Sequence, residues 1–145
     1  MVILNIIQAD LLSSKGPYIA QQSNCVTKKA LGLSAAIEKK FPYANHYKTR
    51  TCEDVPGTIK ICRPQGDGVS VICMFAQYGP GKPKKGDSSI DRIGWFVQSL
   101  DQIVSKGITQ VDMPHNIGCG LAGGDWETYK EILEKHALKV TLYKI

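Results

Sequence analysis

The sequence predicts an α/β protein, a three-layer α/β/α sandwich with a mixed central sheet. Three observations carry that prediction. Short strand-like apolar runs alternate with amphipathic helix-like runs along the chain. Two of the strand-like runs, "GTIKICRP" and "VSVICMFAQ", are separated by the turn "QGDG", which predicts a hairpin. No repeat, low-complexity stretch or linker breaks the alternation, so residues 1–145 are expected to form one domain.

The elements follow in order. "VILNII" is short and rich in β-branched residues, and is expected to be a buried strand. "YIAQQSN" reads as a second strand. In "KKALGLSAAIEKKFP", Leu33, Ala36, Ile37 and Phe41 lie at helical spacing, and Pro42 marks a stop. "HYKTRTCEDV" reads as a short polar helix, and the hairpin strands come next. "GPGKPKKG" is a loop, expected to be a mobile, solvated rim. "DSSIDRIGWFVQSLDQIVSKG" carries the clearest helical pattern: Ile90, Ile93, Val97, Leu100 and Val104 form a stripe. Ser88 and Asp91 are placed for a capping box, and Gly107 for a stop. "ITQVDMP" is a strand. Trp126, Tyr129, Ile132 and Leu133 line one face of a last helix, and "LKVTLYKI" closes as a strand.

Composition narrows the function classes. Hydrophobic residues make up 43% and charged residues 21%, ordinary for a globular domain. No apolar run approaches the ~20 residues of a membrane span, and "MVILNIIQAD" lacks the basic leader and cleavage site of a signal peptide. The net charge of +5 favours anionic ligands without singling out nucleic acid. Five cysteines, odd in number and without a C-x-x-C pair, argue against a disulfide framework or a zinc site. Buried, reduced thiols in the cytoplasm or nucleus are expected, with no metal and no cofactor.

Three loops are able to carry chemistry. In "MPHNIGCGLAGGDWE", glycines lie between a strand and a helix. Such a loop is either a tight turn or a nest of free N–H groups around an anion, assisted by the following helix N-terminus. It lacks the G-K-[ST] ending of a P-loop. Asp125 is either a helix cap or a catalytic or ribose-binding acid. In "QQSNCVTKKALGLS", Asn24 is either a turn residue or a contact to a sugar hydroxyl. In "QAD", Asp10 either caps a turn or accepts from a base amino group. His46, His115 and His136 read as surface or capping histidines rather than metal ligands. Cys119 has no general base placed beside it by sequence. Trp95, Phe96 and Trp126 fall in helical stripes and are expected to pack in the core.

Together these blocks resemble a macro domain, the ADP-ribose-binding module. The resemblance runs in order through the strand ending in "AD-L-L", "IAQQSNCVTKKALGLSAAIEKKFP", "ICMFAQYGPGKP" and "MPHNIGCGLAGGDW". The last block looks like the small stand-alone macro domains associated with ADP-ribose 1''-phosphate phosphatase activity. The resemblance implies that Asp10, with Leu11, holds the adenine amino group and that Asn24 contacts the distal ribose. Gly32, Leu33 and Ser34 match the first glycine-rich loop. Gly118, Cys119, Gly120, Leu121, Ala122 and Gly123 match the second, which embraces the diphosphate. There are departures. The family's "N-A-A-N" is here "Q-Q-S-N", and the first loop has one glycine rather than a run of three. Ala122 stands where some glutamate-specific hydrolases carry aspartate, and "AQYG" has no lysine for a covalent mechanism.

The resemblance implies ADP-ribose or ADP-ribose 1''-phosphate as ligand. One reading is an enzyme that hydrolyses a bond at the distal ribose, either a 1''-phosphate monoester or an ester to a protein side chain, with Asn24 positioning the sugar. Its water is activated by Asp125 or by the substrate's own phosphate. The alternative is a reader that binds ADP-ribose or an ADP-ribosylated protein without turnover. Neither RNA nor a membrane is the expected partner.

Overall fold

The computed structural model describes residues 4–145. Its elements are β1 (Leu4–Gln8), a single 3-10 turn (Leu11–Ser13), β2 (Tyr18–Gln22), α1 (Gly32–Lys40), β3 (Ile59–Cys62) and β4 (Ser70–Met74). They continue with α2 (Ser89–Ser105), β5 (Gln110–Pro114), α3 (Trp126–Glu134) and β6 (Lys139–Lys144). The six strands form one sheet in the order β1-β6-β5-β2-β4-β3. All neighbours are parallel except β3, which pairs antiparallel with β4 in the hairpin the sequence predicts. Met1, Val2 and Ile3, the first of which precedes the predicted "VILNII" strand and the others of which begin it, lie outside the described residues.

Burial explains the layers. Every residue of β4 is buried, and its side chains alternate between two cores. Ile72, Met74 and Ala76 join Phe96, Leu100, Tyr129 and Leu133 of α2 and α3 on one face. Val71, Cys73 and Phe75 join Ile37 of α1 on the other. Three layers result, as predicted.

α2 starts where the sequence says. The Ser88 hydroxyl accepts from the Asp91 amide at 3.1 Å, and the Asp91 carboxylate accepts from the Ser88 amide at 3.2 Å. Gly107, at φ 79°, follows its last turn.

Four local expectations are corrected. β1 is not a buried strand: it is an edge strand, paired among the described residues only with β6, and Asn5 to Gln8 are exposed. "HYKTRTCEDV" forms turns rather than a helix, because its polar side chains bond a neighbouring loop, as described below. The buried face of α2 is rotated from the predicted stripe: Arg92, Phe96, Ser99, Leu100 and Ile103 are inside, and Ile90 is 82% exposed. A satisfied arginine has taken a place that periodicity reserves for an apolar residue. Of the five thiols, Cys25, Cys62 and Cys73 are buried as expected, whereas Cys52 is exposed and Cys119 half-buried. Phe96 enters the core, and Trp95 and Trp126 pack against it half-buried.

Candidate functional site

Parallel strands bring their carboxyl ends to one edge. Along that edge stand, in order, Asp10 after β1, the glycine loop after β5, the Asn24 loop after β2, and Gln77 and Tyr78 after β4. The chain leaves β2 for α1 on one face and leaves β5 for α3 on the other. The crevice at such a switch point is where open α/β sheets bind ligands. Here the loops meet: a Cβ on Gly32 would lie 3.6 Å from Leu121 Cδ1.

The glycine loop turns sharply, with Asn116 at φ 66°, Gly118 at 78° and Gly123 at 75°. Its internal bonds use the amides of Ile117, Cys119, Gly123 and Gly124. Among the described residues, the consecutive amides of Gly120, Leu121 and Ala122 have no acceptor. That is the free N–H arrangement an anion nest needs. Gly118 is glycine for close approach as well. A Cβ there would come within 2.6 Å of Tyr129 Cε2 and 2.7 Å of Gln22 Oε1, a buried oxygen without a partner among the described residues. At the start of α1 the amides of Gly32, Leu33 and Ser34 also find no acceptor among the described residues, and no acid occupies that first turn. Leu31, Leu33 and Leu121 form exposed apolar shoulders beside these amides.

Asp10 caps the 3-10 turn through a 3.0 Å bond from the Leu12 amide, and Leu11 behind it is buried. Asn24 is 7% exposed. Its Oδ1 accepts from the Val26 and Thr27 amides at 3.0 and 2.9 Å, and its Nδ2 donates to Thr27 Oγ1 at 3.0 Å. The carboxamide is therefore committed to its own turn. The Ser34 hydroxyl donates to Gln21 Oε1 at 2.6 Å. Asp125 is the exposed N-cap of α3, and its carboxylate takes the Thr128 hydroxyl at 2.7 Å. With Arg92, Gly123, Gly124 and Tyr129 it lines a cavity of about 150 Å³. Burial and the charge of Asp125 push the Cys119 thiol up to about 11, so Cys119 is no ready thiolate. Among the described residues no cluster of three metal-ligating side chains occurs.

No protein-family model matches the chain. Over 98% of both chains it is 25% identical to the ADP-ribose 1''-phosphate phosphatase of Meyerozyma guilliermondii. The macrodomain of Mycobacterium tuberculosis DarG superposes with a TM-score of 0.76 at 20% identity, over 97% of each chain. The chain has the macrodomain fold. A DarTG from Thermosipho africanus, solved in complex with ADP-ribose, superposes with a TM-score of 0.69 at 17% identity, over 99% of this chain and 42% of that one.

Two parts of this structure are not visible in the sequence patterns. The first is a polar buttress under the Asn24 loop. Tyr47 Oη accepts from the Asn24 amide at 3.0 Å, and Arg50 donates to the carbonyls of Asn24 and Thr27 at 2.8 and 3.0 Å. His46, expected at the surface, is 3% exposed and bonds Ser23 Oγ at 3.0 Å. His115 and His136 do stay near the surface, His115 against Trp126 and His136 against Asp101.

The second part is Arg92. Its guanidinium donates to the Asp87 carboxylate at 2.8 and 2.6 Å, to the Gly81 carbonyl at 2.7 Å and to the Ala122 carbonyl at 3.2 Å. One buried cation thus ties the "GPGKPKKG" loop to the glycine loop. The predicted mobile rim is clamped at its base, although its lysines remain exposed.

Burial, with Arg50 and Lys60 nearby, pushes the His46 imidazole down to about 4. Between pH 6.5 and 4 the unfolded chain takes up this proton and the folded chain does not. Stability from this site is full above about pH 6.5 and falls as pH drops toward 4, by up to about 3 kcal/mol. Urea unfolding at pH 7 and pH 4.5 should show a smaller acid loss in His46→Gln than in the parent. Equal losses would remove His46 as a cause.

Proposed function

We propose that this chain binds ADP-ribose derivatives in the crevice between the two loops and hydrolyses the 1''-phosphate monoester of ADP-ribose. The observation that carries this reading is the order of groups along the sheet edge. Asp10, the unbonded amides of residues 120–122 and the Asn24 loop follow one another as adenine, diphosphate and distal ribose do in the ligand. From β1 to β2 is three strand spacings, about 14 Å, a span suited to an extended dinucleotide. The phosphatase named above and the ADP-ribose complex of a structural neighbour support the same ligand class.

In this reading Asn24 positions the distal ribose through the turn it closes. The amides of Gly120 to Ala122 hold the diphosphate, and those of Gly32 to Ser34 face the crevice from the other wall. Water attacks phosphorus, the bond from phosphorus to the 1'' oxygen breaks, and the sugar oxygen takes a proton. Either the departing phosphate's own oxygen or Asp125 receives the water's proton. The five free thiols fit a reducing cytoplasmic or nuclear setting.

A second reading, a non-catalytic reader of ADP-ribose or ADP-ribosylated protein, draws on the bond that holds Asp125 to Thr128. Phosphate release from ADP-ribose 1''-phosphate separates the two. Turnover is expected in the parent and a loss of at least about tenfold in Asn24→Ala, by displacement of the ribose. Binding without any phosphate release would establish the reader instead. Full turnover in Asp125→Ala would leave the substrate phosphate as the base.

A further inference from the structure

We infer that Lys82 is the residue by which this crevice selects a ligand carrying an extra phosphate on the distal ribose over ADP-ribose itself. The inference rests on the ADP-ribose reading above and adds a specificity-determining side chain that the sequence patterns do not assign.

Three observations combine. First, the backbone under Lys82 is fixed. Arg92 donates to the carbonyls of Gly79, Gly81 and Lys82 at 3.3, 2.7 and 3.4 Å, and to the carbonyl of Ala122 in the glycine loop at 3.2 Å. Second, the Lys82 stem lies across that loop. The position of a Cβ on Gly123 is 3.2 Å from Lys82 Cγ and within 3.8 Å of its Cβ and Cδ. Third, the ammonium is uncommitted. Among the described residues no carboxylate lies within ion-pair distance of Lys82, while the nearby acids Asp87 and Asp125 are bonded to Arg92 and Thr128.

A lysine on a free loop samples many positions, and its charge is diluted. Here the stem is laid along Gly123, one residue beyond the unbonded amides. The segment comes from β4, on the far side of β2 from β5, so it approaches from the distal-ribose end. The glycine loop offers N–H dipoles but no cation of its own. A monoester phosphate carries about 1.5 to 2 negative charges near neutral pH, which amides alone neutralise incompletely. An ammonium carried on a stem laid against that loop supplies what is missing, and ADP-ribose, lacking that group, gains little from it.

Calorimetric titration of the whole chain with ADP-ribose and with ADP-ribose 1''-phosphate tests this. The parent should bind both. Lys82→Gln should lose about tenfold or more in affinity for the 1''-phosphate and under about twofold for ADP-ribose. Lys85→Gln, an exposed lysine on the same loop, should leave both within about twofold. Equal losses on the two ligands, or none on either, would overturn the role given to Lys82. A parent that binds ADP-ribose but shows no discrimination by Lys82 leaves the ligand class standing and removes only this inference. A parent that binds neither removes both.

Discussion

Replacing Arg92 by methionine is expected to cost about 3–5 kcal/mol of folding stability. The Arg92 and Asp87 side chains are 2% and 5% exposed, and their ion pair is 2.6 Å long. Burial alone raises the Asp87 carboxyl; bonds from Arg92 and from the Gly79 and Tyr78 amides outweigh it and hold the group below its usual range. Methionine fills the space but leaves a buried carboxylate with half its partners, and it frees the carbonyls of Gly81 and Ala122. Adding Asp87→Asn should recover part of the loss, since the uncompensated charge is then gone. Arg92→Lys keeps the charge without the forked donors. It should fold more stably than the methionine variant yet bind ADP-ribose more weakly than the parent. If Arg92→Met unfolds within about 1 kcal/mol of the parent in urea, the clamp is not the support described here.

Gly118→Ala is expected to cost about 2–4 kcal/mol and to lower ADP-ribose affinity. Its φ of 78° is strained for any L side chain, and the new methyl would meet Tyr129 and Gln22 at 2.6 and 2.7 Å. Tyr129 cannot yield easily, because it is packed against Phe96 with ring centroids 4.7 Å apart. Gly120→Ala is the control. A Cβ there meets nothing within 4 Å, so its stability should stay within about 0.5 kcal/mol of the parent. Equal unfolding midpoints for the two variants would contradict the close approach at Gly118.

Local signals and tertiary signals were unequally legible. The α2 start could be read because its capping box lies within four residues and needs no distant partner. The hairpin could be read from its turn. Strand order could not, and it decides that β1 lies outside while β6 lies between β1 and β5. "HYKTRTCEDV" misleads because its polar residues look solvated, whereas His46, Tyr47 and Arg50 satisfy the backbone and side chains of residues 23–27. The spacing from Arg50 to Asp54, an i,i+4 ion pair of 3.1 Å, mimics a helical signal without a helix. Arg92 is hidden for a related reason: its partners are mostly loop carbonyls, which no side-chain pattern announces. At the cleft, glycine content pointed to the second loop, and the family resemblance joined it to Asp10 and Asn24. Which loop amides stay unbonded depends on turn geometry, and the residue names do not contain that.

In the proposed function, the unbonded amides of Gly120, Leu121 and Ala122 hold the diphosphate of ADP-ribose. A crystal structure grown with ADP-ribose tests it most directly. Diphosphate oxygens are expected within about 3.2 Å of those amides, with adenine at the Asp10 end and the distal ribose at the Asn24 end. Ligand bound instead in the cavity lined by Arg92 and Asp125, or in the reverse direction along the sheet edge, would contradict it.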